Sequence, residues 1–77
     1  MNMHRYRNLD GNSGVSFYEY GPDFIRLQFL GGSIYRFDYQ RPGQTHVEQM
    51  KELAQAGRGL STYLSRHVQG AYALKEA

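Results

Sequence analysis

Residues 24–39, FIRLQFLGGSIYRFDY, constrain the fold more than any other stretch of this chain. Ile25, Leu27 and Phe29 alternate with Arg26 and Gln28, and Tyr35, Phe37 and Tyr39 alternate with Arg36 and Asp38. A period of two places each apolar set on one face of a strand, and Gly31-Gly32 between the sets marks a hairpin turn. Loop length follows from requiring both sets to share a face, because a slip of one residue turns one set to water. The three-residue loop Leu30-Gly31-Gly32 meets that requirement, setting Phe29 opposite Ser33, Leu27 opposite Tyr35 and Ile25 opposite Phe37. Gly32 then takes the left-handed position of a bulged turn. A two-residue Gly31-Gly32 loop would set Leu27 against Arg36 instead. In the preferred register Arg26 and Arg36 face each other on the outer surface, a mildly destabilising pair of like charges. Such a face is either tolerated in water or kept for an anionic partner.

The remainder supplies a third strand and two helices. Residues 13–20, SGVSFYEY, are rich in β-branched and aromatic residues and are read as the first strand. Its parity is mixed, since Val15 and Phe17 favour one face and Tyr18 and Tyr20 the other, so a bulge or two-sided burial is expected. Gly21-Pro22-Asp23 turns the chain, and Pro42-Gly43 ends the sheet. Thr45-His46-Val47-Glu48 reads as a capping box opening a helix whose apolar stripe is Val47, Met50, Leu53 and Ala54, closed by Gly57. A second helix starts near Leu60 or Ser61, carries Leu60, Tyr63, Leu64 and Val68 on one stripe, and ends at Gly70. The expected fold is α+β: a three-stranded antiparallel β-meander followed by two α-helices packed on one face. Residues 1–12 are read as a flexible basic arm, residues 13–72 as a single domain and residues 73–77 as a tail.

Composition narrows the classes of function. A chain of 77 residues has room for one small domain, burying about 60–65% of its extended surface. It contains no cysteine, which removes disulfide and thiolate–metal stabilisation and fits a cytoplasmic setting. No apolar run is long enough to span a bilayer, and no signal-like apolar core opens the chain, so no membrane association is expected. The net charge of +2 is a weak pointer by itself, but seven of the nine basic residues are arginine, the group that forks onto phosphate and stacks on bases.

Catalytic and metal motifs do not emerge. His4, His46 and His67 are scattered without metal-ligand spacing, and Ser16, Ser61 and Ser65 lie in no nucleophile motif. Gly31-Gly32 lacks the lysine and following helix start of a phosphate loop. His67 reads as a polar boundary histidine rather than an acid–base group, having no carboxylate or second histidine at useful spacing. The expectation is no enzyme, no cofactor and no metal. Tyr35 and Phe37 could stack bases, but the register turns them inward, which favours core packing.

The order and spacing of residues 13–72 resemble the KTSC family, named for a carboxy-terminal domain of some lysyl-tRNA synthetases and also found as small stand-alone bacterial proteins. The resemblance is carried by Ser13-Gly14-Val15 with Tyr18 and Tyr20, by Phe29, Gly32 and Tyr35-Arg36-Phe37, by Pro42, and by the stretch from Tyr63 to Val68 followed by Tyr72. Ser65 stands where the family has Asn, and the family's Ser-x-Gly before the second helix is not cleanly matched around Gly59 and Ser61. The resemblance implies the fold above and, through the link to a synthetase, binding of RNA, including tRNA-like RNA. Two readings of function follow. In the first, Arg26, Arg36, Arg41 and Arg66, with His67, contact RNA phosphates. In the second, the chain is a protein-interaction or homodimerising module that offers a strand edge to its partner. Glu48 and Glu52 keep a nucleic-acid surface away from the first helix in either case.

Overall fold

The computed structural model describes residues 3–11 and 13–77. Its centre is the expected hairpin: β3 (Phe24–Phe29) and β4 (Ile34–Asp38) pair antiparallel with Ile25 opposite Phe37, Arg26 opposite Arg36 and Leu27 opposite Tyr35. At the turn the Phe29 N–H donates to the Ser33 carbonyl at 2.9 Å and the Gly32 N–H to the Phe29 carbonyl at 2.8 Å. Gly32 has φ of 94°, a left-handed conformation that a side chain disfavours. The alternation therefore sets the register. Ile25 and Leu27 are completely buried and Phe37 nearly so.

β2 (Val15–Gly21) pairs antiparallel with β3 and resolves its mixed parity by a bulge between Val15 and Phe17. The extra residue puts Val15 opposite Phe29 and Tyr18 opposite Leu27, so Val15, Tyr18 and Tyr20 share the inner face. Phe17 turns to the outer face, opposite Gln28.

The inner face is covered by α1 (Gln44–Ala56), which buries Val47, Met50 and Ala54, and by a second helical segment. That segment starts as α2 (Leu60–Tyr63) and continues as a π-helical turn over Leu64–Val68, burying Leu60, Leu64 and Val68. Gly57, with φ of 79°, ends α1 as expected. The start of α1 is different. Its N-cap is Gly43, with no side-chain cap, so Thr45 and Glu48 do not form a capping box. Asp38 organises the approach, its carboxylate accepting from the Gln40 and Arg41 N–H groups at 3.0 Å, and this places Gly43 at the boundary. Glu48 is released to bind Lys51 Nζ at 2.8 Å and the Tyr39 hydroxyl at 2.7 Å.

Among the described residues the sheet has five strands in the order β1-β2-β3-β4-β5, all antiparallel, not three. The added strands come from the segments read as arm and tail. In the arm, β1 (His4–Arg5) pairs with β2, and Tyr6 is buried, its hydroxyl accepting the Leu60 N–H at 3.2 Å. Arg7 lies against Gly57 and donates to the Gln55 carbonyl. Met1, Asn2 and Asn12 of that arm lie outside the described residues. At the other end, β5 (Leu74–Lys75) pairs with β4. The physical reason is that a two-residue strand shows no periodicity, while one tyrosine ring in a polar segment can still fill a core position.

Two measurements check this packing. Tyr6→Ala should lower stability in urea unfolding by about 3–5 kcal/mol, the range for truncating a buried aromatic, whereas Leu30→Ala, 76% exposed, should change it by less than about 0.5 kcal/mol. Equal small effects would show that residues 1–12 are a free arm. Lys51, then the Tyr39 hydroxyl, hold the Glu48 carboxyl below its ordinary value. Stability from that shift is present above pH about 4.5 and is lost as pH falls through the lowered value in the folded state. Glu48→Gln should accordingly flatten the acid limb of the stability–pH curve, and a limb superimposed on that of the parent protein would contradict the pairing.

Candidate nucleic-acid interface

The five side chains expected to contact RNA fall into three places. Arg26 and Arg36 lie opposite each other on the outer sheet face, Arg41 sits in the loop after β4, and Arg66 and His67 are exposed on the π-helical turn in the other layer. A single surface does not collect all five.

Arg26 is already occupied. It pairs with Glu19 on β2, and from the carboxy-terminal end Glu76 receives its Nη2 at 2.6 Å and its Nε at 3.0 Å. The hydrogen bond to Glu76 is the first cause of its raised pKa, desolvation opposes the shift, and the bond to Glu19 adds to it. A guanidinium held by two carboxylates brings little positive potential to a phosphate. These acids also explain why the Arg26–Arg36 juxtaposition is tolerated.

Arg36 and Arg41 are better placed. They line one open groove of about 550 Å³ together with Asp38, Gln40, Ala73 and Leu74. Arg36 lies with its guanidinium carbon 4.2 Å from the centre of the Phe24 ring, and only a long 3.8 Å approach links it to Asp38. Stacking over the ring holds the plane while leaving edge N–H groups for an anion. Arg41 is exposed beside it. Arg5 and the 36% exposed Phe17 are cross-strand partners, farther along the outer side of the sheet. The mixed parity of residues 13–20 left the face of Phe17 open, and the bulge between Val15 and Phe17 turns it outward.

A second concave site lies between the layers. A cleft of about 490 Å³ has Phe29, Tyr35 and Tyr72 along its walls, with Ser33, Ser65 and Gln69 as polar members. Phe37 and Leu64, both buried, form its floor. Ser65 is thus in the cleft wall, and the hydroxyl of Ser61 bonds that of Ser13 where β2 begins. The expectation that Tyr35 and Phe37 point inward is met by the structure, but Tyr35 remains half-buried at the cleft mouth.

The histidines show what spacing could not. His46 Nδ1 and the Tyr63 hydroxyl share a 2.6 Å hydrogen bond, and the Tyr63 and His67 ring centres are 4.7 Å apart. His46 and His67 come within 6.4 Å, centre to centre, because α1 and the second helical segment pack side by side. Burial raises the Tyr63 hydroxyl pKa. Among the described residues no three His, Cys, Asp or Glu side chains are grouped to hold a metal, and no helix is long and apolar enough to cross a membrane.

No family model matches the chain, and neither the curated proteins nor the solved structures contain a match to it. The KTSC resemblance accordingly rests on the residues quoted for it above.

The different environments of the arginines give a direct test. Arg26→Gln should cost roughly 1 kcal/mol of stability, the upper end for partly exposed ion pairs, while Arg41→Gln should leave stability within about 0.5 kcal/mol. Thermal unfolding of both variants decides, and the reverse order would mean that the Glu19–Arg26–Glu76 group contributes nothing to the fold.

Proposed function

We propose that the protein is a small non-enzymatic binding module for single-stranded RNA, including the unpaired parts of a tRNA-like molecule. The observation that carries this reading is the groove in which Arg36 and Arg41 meet, one stacked on Phe24 and the other exposed. Phosphate contacts from guanidinium groups give affinity and position, and neighbouring aromatic faces give sequence-tolerant stacking. Arg36 and Arg41 are the phosphate contacts here, and Arg66 and His67 provide a second patch on the helical layer. Arg26 keeps the carboxy-terminal strand in place instead. The resemblance to KTSC domains is consistent with this assignment, by analogy of fold and fusion.

A second reading, self-association or capture of a protein partner at the sheet, is favoured by the exposed apolar side chains Phe17 and Leu74, which are 36% and 54% accessible. They lie on the strands next to, or at, the two sheet edges. Both edge strands are only two residues long, which limits the ladder that a partner strand could extend.

Titration with a short single-stranded RNA at several salt concentrations separates the readings. Binding should weaken linearly in log–log form, and Arg36→Gln and Arg41→Gln should each reduce the slope by about 0.7, the value for one phosphate contact on a single strand. Absence of binding at low salt, together with a sedimentation coefficient that rises with protein concentration, would replace RNA with self-association.

A further inference from the structure

We infer that the cleft between the sheet and the π-helical turn is a nucleobase site, taking one unstacked base of an RNA strand or of a free nucleotide. As a base pocket within an RNA-binding module, it rests on the reading above. Its geometry comes from two parts of the chain that are distant in sequence. Phe29 and Tyr35 project from β3 and β4, whereas Ser65, Gln69 and Tyr72 come from the π-helical turn and the segment after it.

The aromatic walls are fixed edge to face. Phe29 and Tyr35 stand at 90° with centres 5.7 Å apart, and Tyr35 and Tyr72 at 67° with centres 4.7 Å apart. Edge-to-face packing orients rings without completing a stack, so a further flat ring can lie against them. The polar members, Ser33, Ser65 and Gln69, are neutral donors and acceptors suited to the edge of a base. Gln69 is held by a bond from its side-chain amide to the Ser65 carbonyl at 3.1 Å and has φ of 46°, a positive value uncommon for a side-chain-bearing residue.

Charge decides which part of a nucleotide enters. No charged side chain is in the cleft lining, so a phosphate inside would have no counter-ion. A cation stands by the aromatic wall instead: Lys75 Nζ is 5.9 Å from the centre of the Tyr35 ring. The base is therefore placed inside and the phosphate at Lys75. The volume of about 490 Å³ falls within the ordinary range for small-ligand clefts, roughly 300–1,000 Å³.

The test is an amide NMR titration with three probes: a short single-stranded RNA, the same ribose-phosphate strand without bases, and a panel of nucleoside monophosphates. The intact strand and at least one monophosphate should shift Tyr35, Ser65, Gln69 and Tyr72, and the baseless strand should leave them in place. Tyr72→Ala should weaken intact-strand binding roughly 5- to 150-fold, the range for one base–aromatic stack, and Tyr72→Phe should restore it. Ser65→Trp, at an exposed position, blocks the cleft without removing a core side chain and should cause a similar loss in a folded protein. Equal binding of baseless and intact strands, with shifts confined to Arg36 and Arg41, would overturn the base pocket and leave the RNA reading standing. Monophosphate binding in the cleft without strand binding would overturn the RNA reading and keep the pocket. No response to any probe would overturn both.

Discussion

The dry face of the β3–β4 hairpin is the contact on which every other element depends. Ile25 and Leu27 are fully shielded, and Phe37 stands opposite Ile25 across the ladder. α1 brings Val47, Met50 and Ala54 to this surface, and the second helical segment adds Leu60, Leu64 and Val68. At about 25 cal/mol for each Å² of apolar surface removed from water, such a small set of side chains has to be used efficiently. Tyr6 from the amino-terminal segment closes one side of this core, and its hydroxyl also satisfies the first backbone donor of α2. A chain of this size gains from recruiting both of its ends, because a small domain buries a modest fraction of its surface.

The same hairpin sets up the outer face, and there the physics is electrostatic. The register that buries Ile25 and Leu27 necessarily presents Arg26 to Arg36. The fold relieves that repulsion unequally: Glu19 and Glu76 take Arg26, whereas Arg36 is directed over Phe24 toward the groove it shares with Arg41. The carboxy-terminal segment is thus fastened from two sides, by the β5 ladder and by the ion pair of Glu76. Its neighbours Tyr72 and Lys75 contribute to the interlayer cleft and its rim. Holding this segment therefore shapes the cleft as well as completing the sheet.

Much of the scaffold was legible because it is governed by local rules. Alternation and turn chemistry specify the hairpin register down to Phe29 opposite Ser33, and of the two outcomes that conflicting parity in residues 13–20 allowed, a bulge or two-sided burial, the structure takes the bulge. The capping box was misleading, since Thr45 and Glu48 have the right identities but Gly43 occupies the boundary once Asp38 has folded the preceding loop. The site was less legible. Listing arginines could not distinguish Arg26, bound by two carboxylates, from exposed Arg41, because one of those carboxylates, Glu76, is fifty positions away. Nor could spacing bring His46 beside Tyr63 and His67, an encounter made by helix packing.

By itself, the sequence determined which faces of the central strands are dry, where the hairpin turns and which helical stripes cover it, since backbone periodicity and burial answer to the same residues. Tertiary structure alone decided that both ends join the sheet, which arginines remain available and where aromatic rings enclose a cleft. Those outcomes depend on contacts between distant segments, and their geometry exists only after the hairpin has supplied a surface on which Tyr6, Tyr72 and Glu76 can settle.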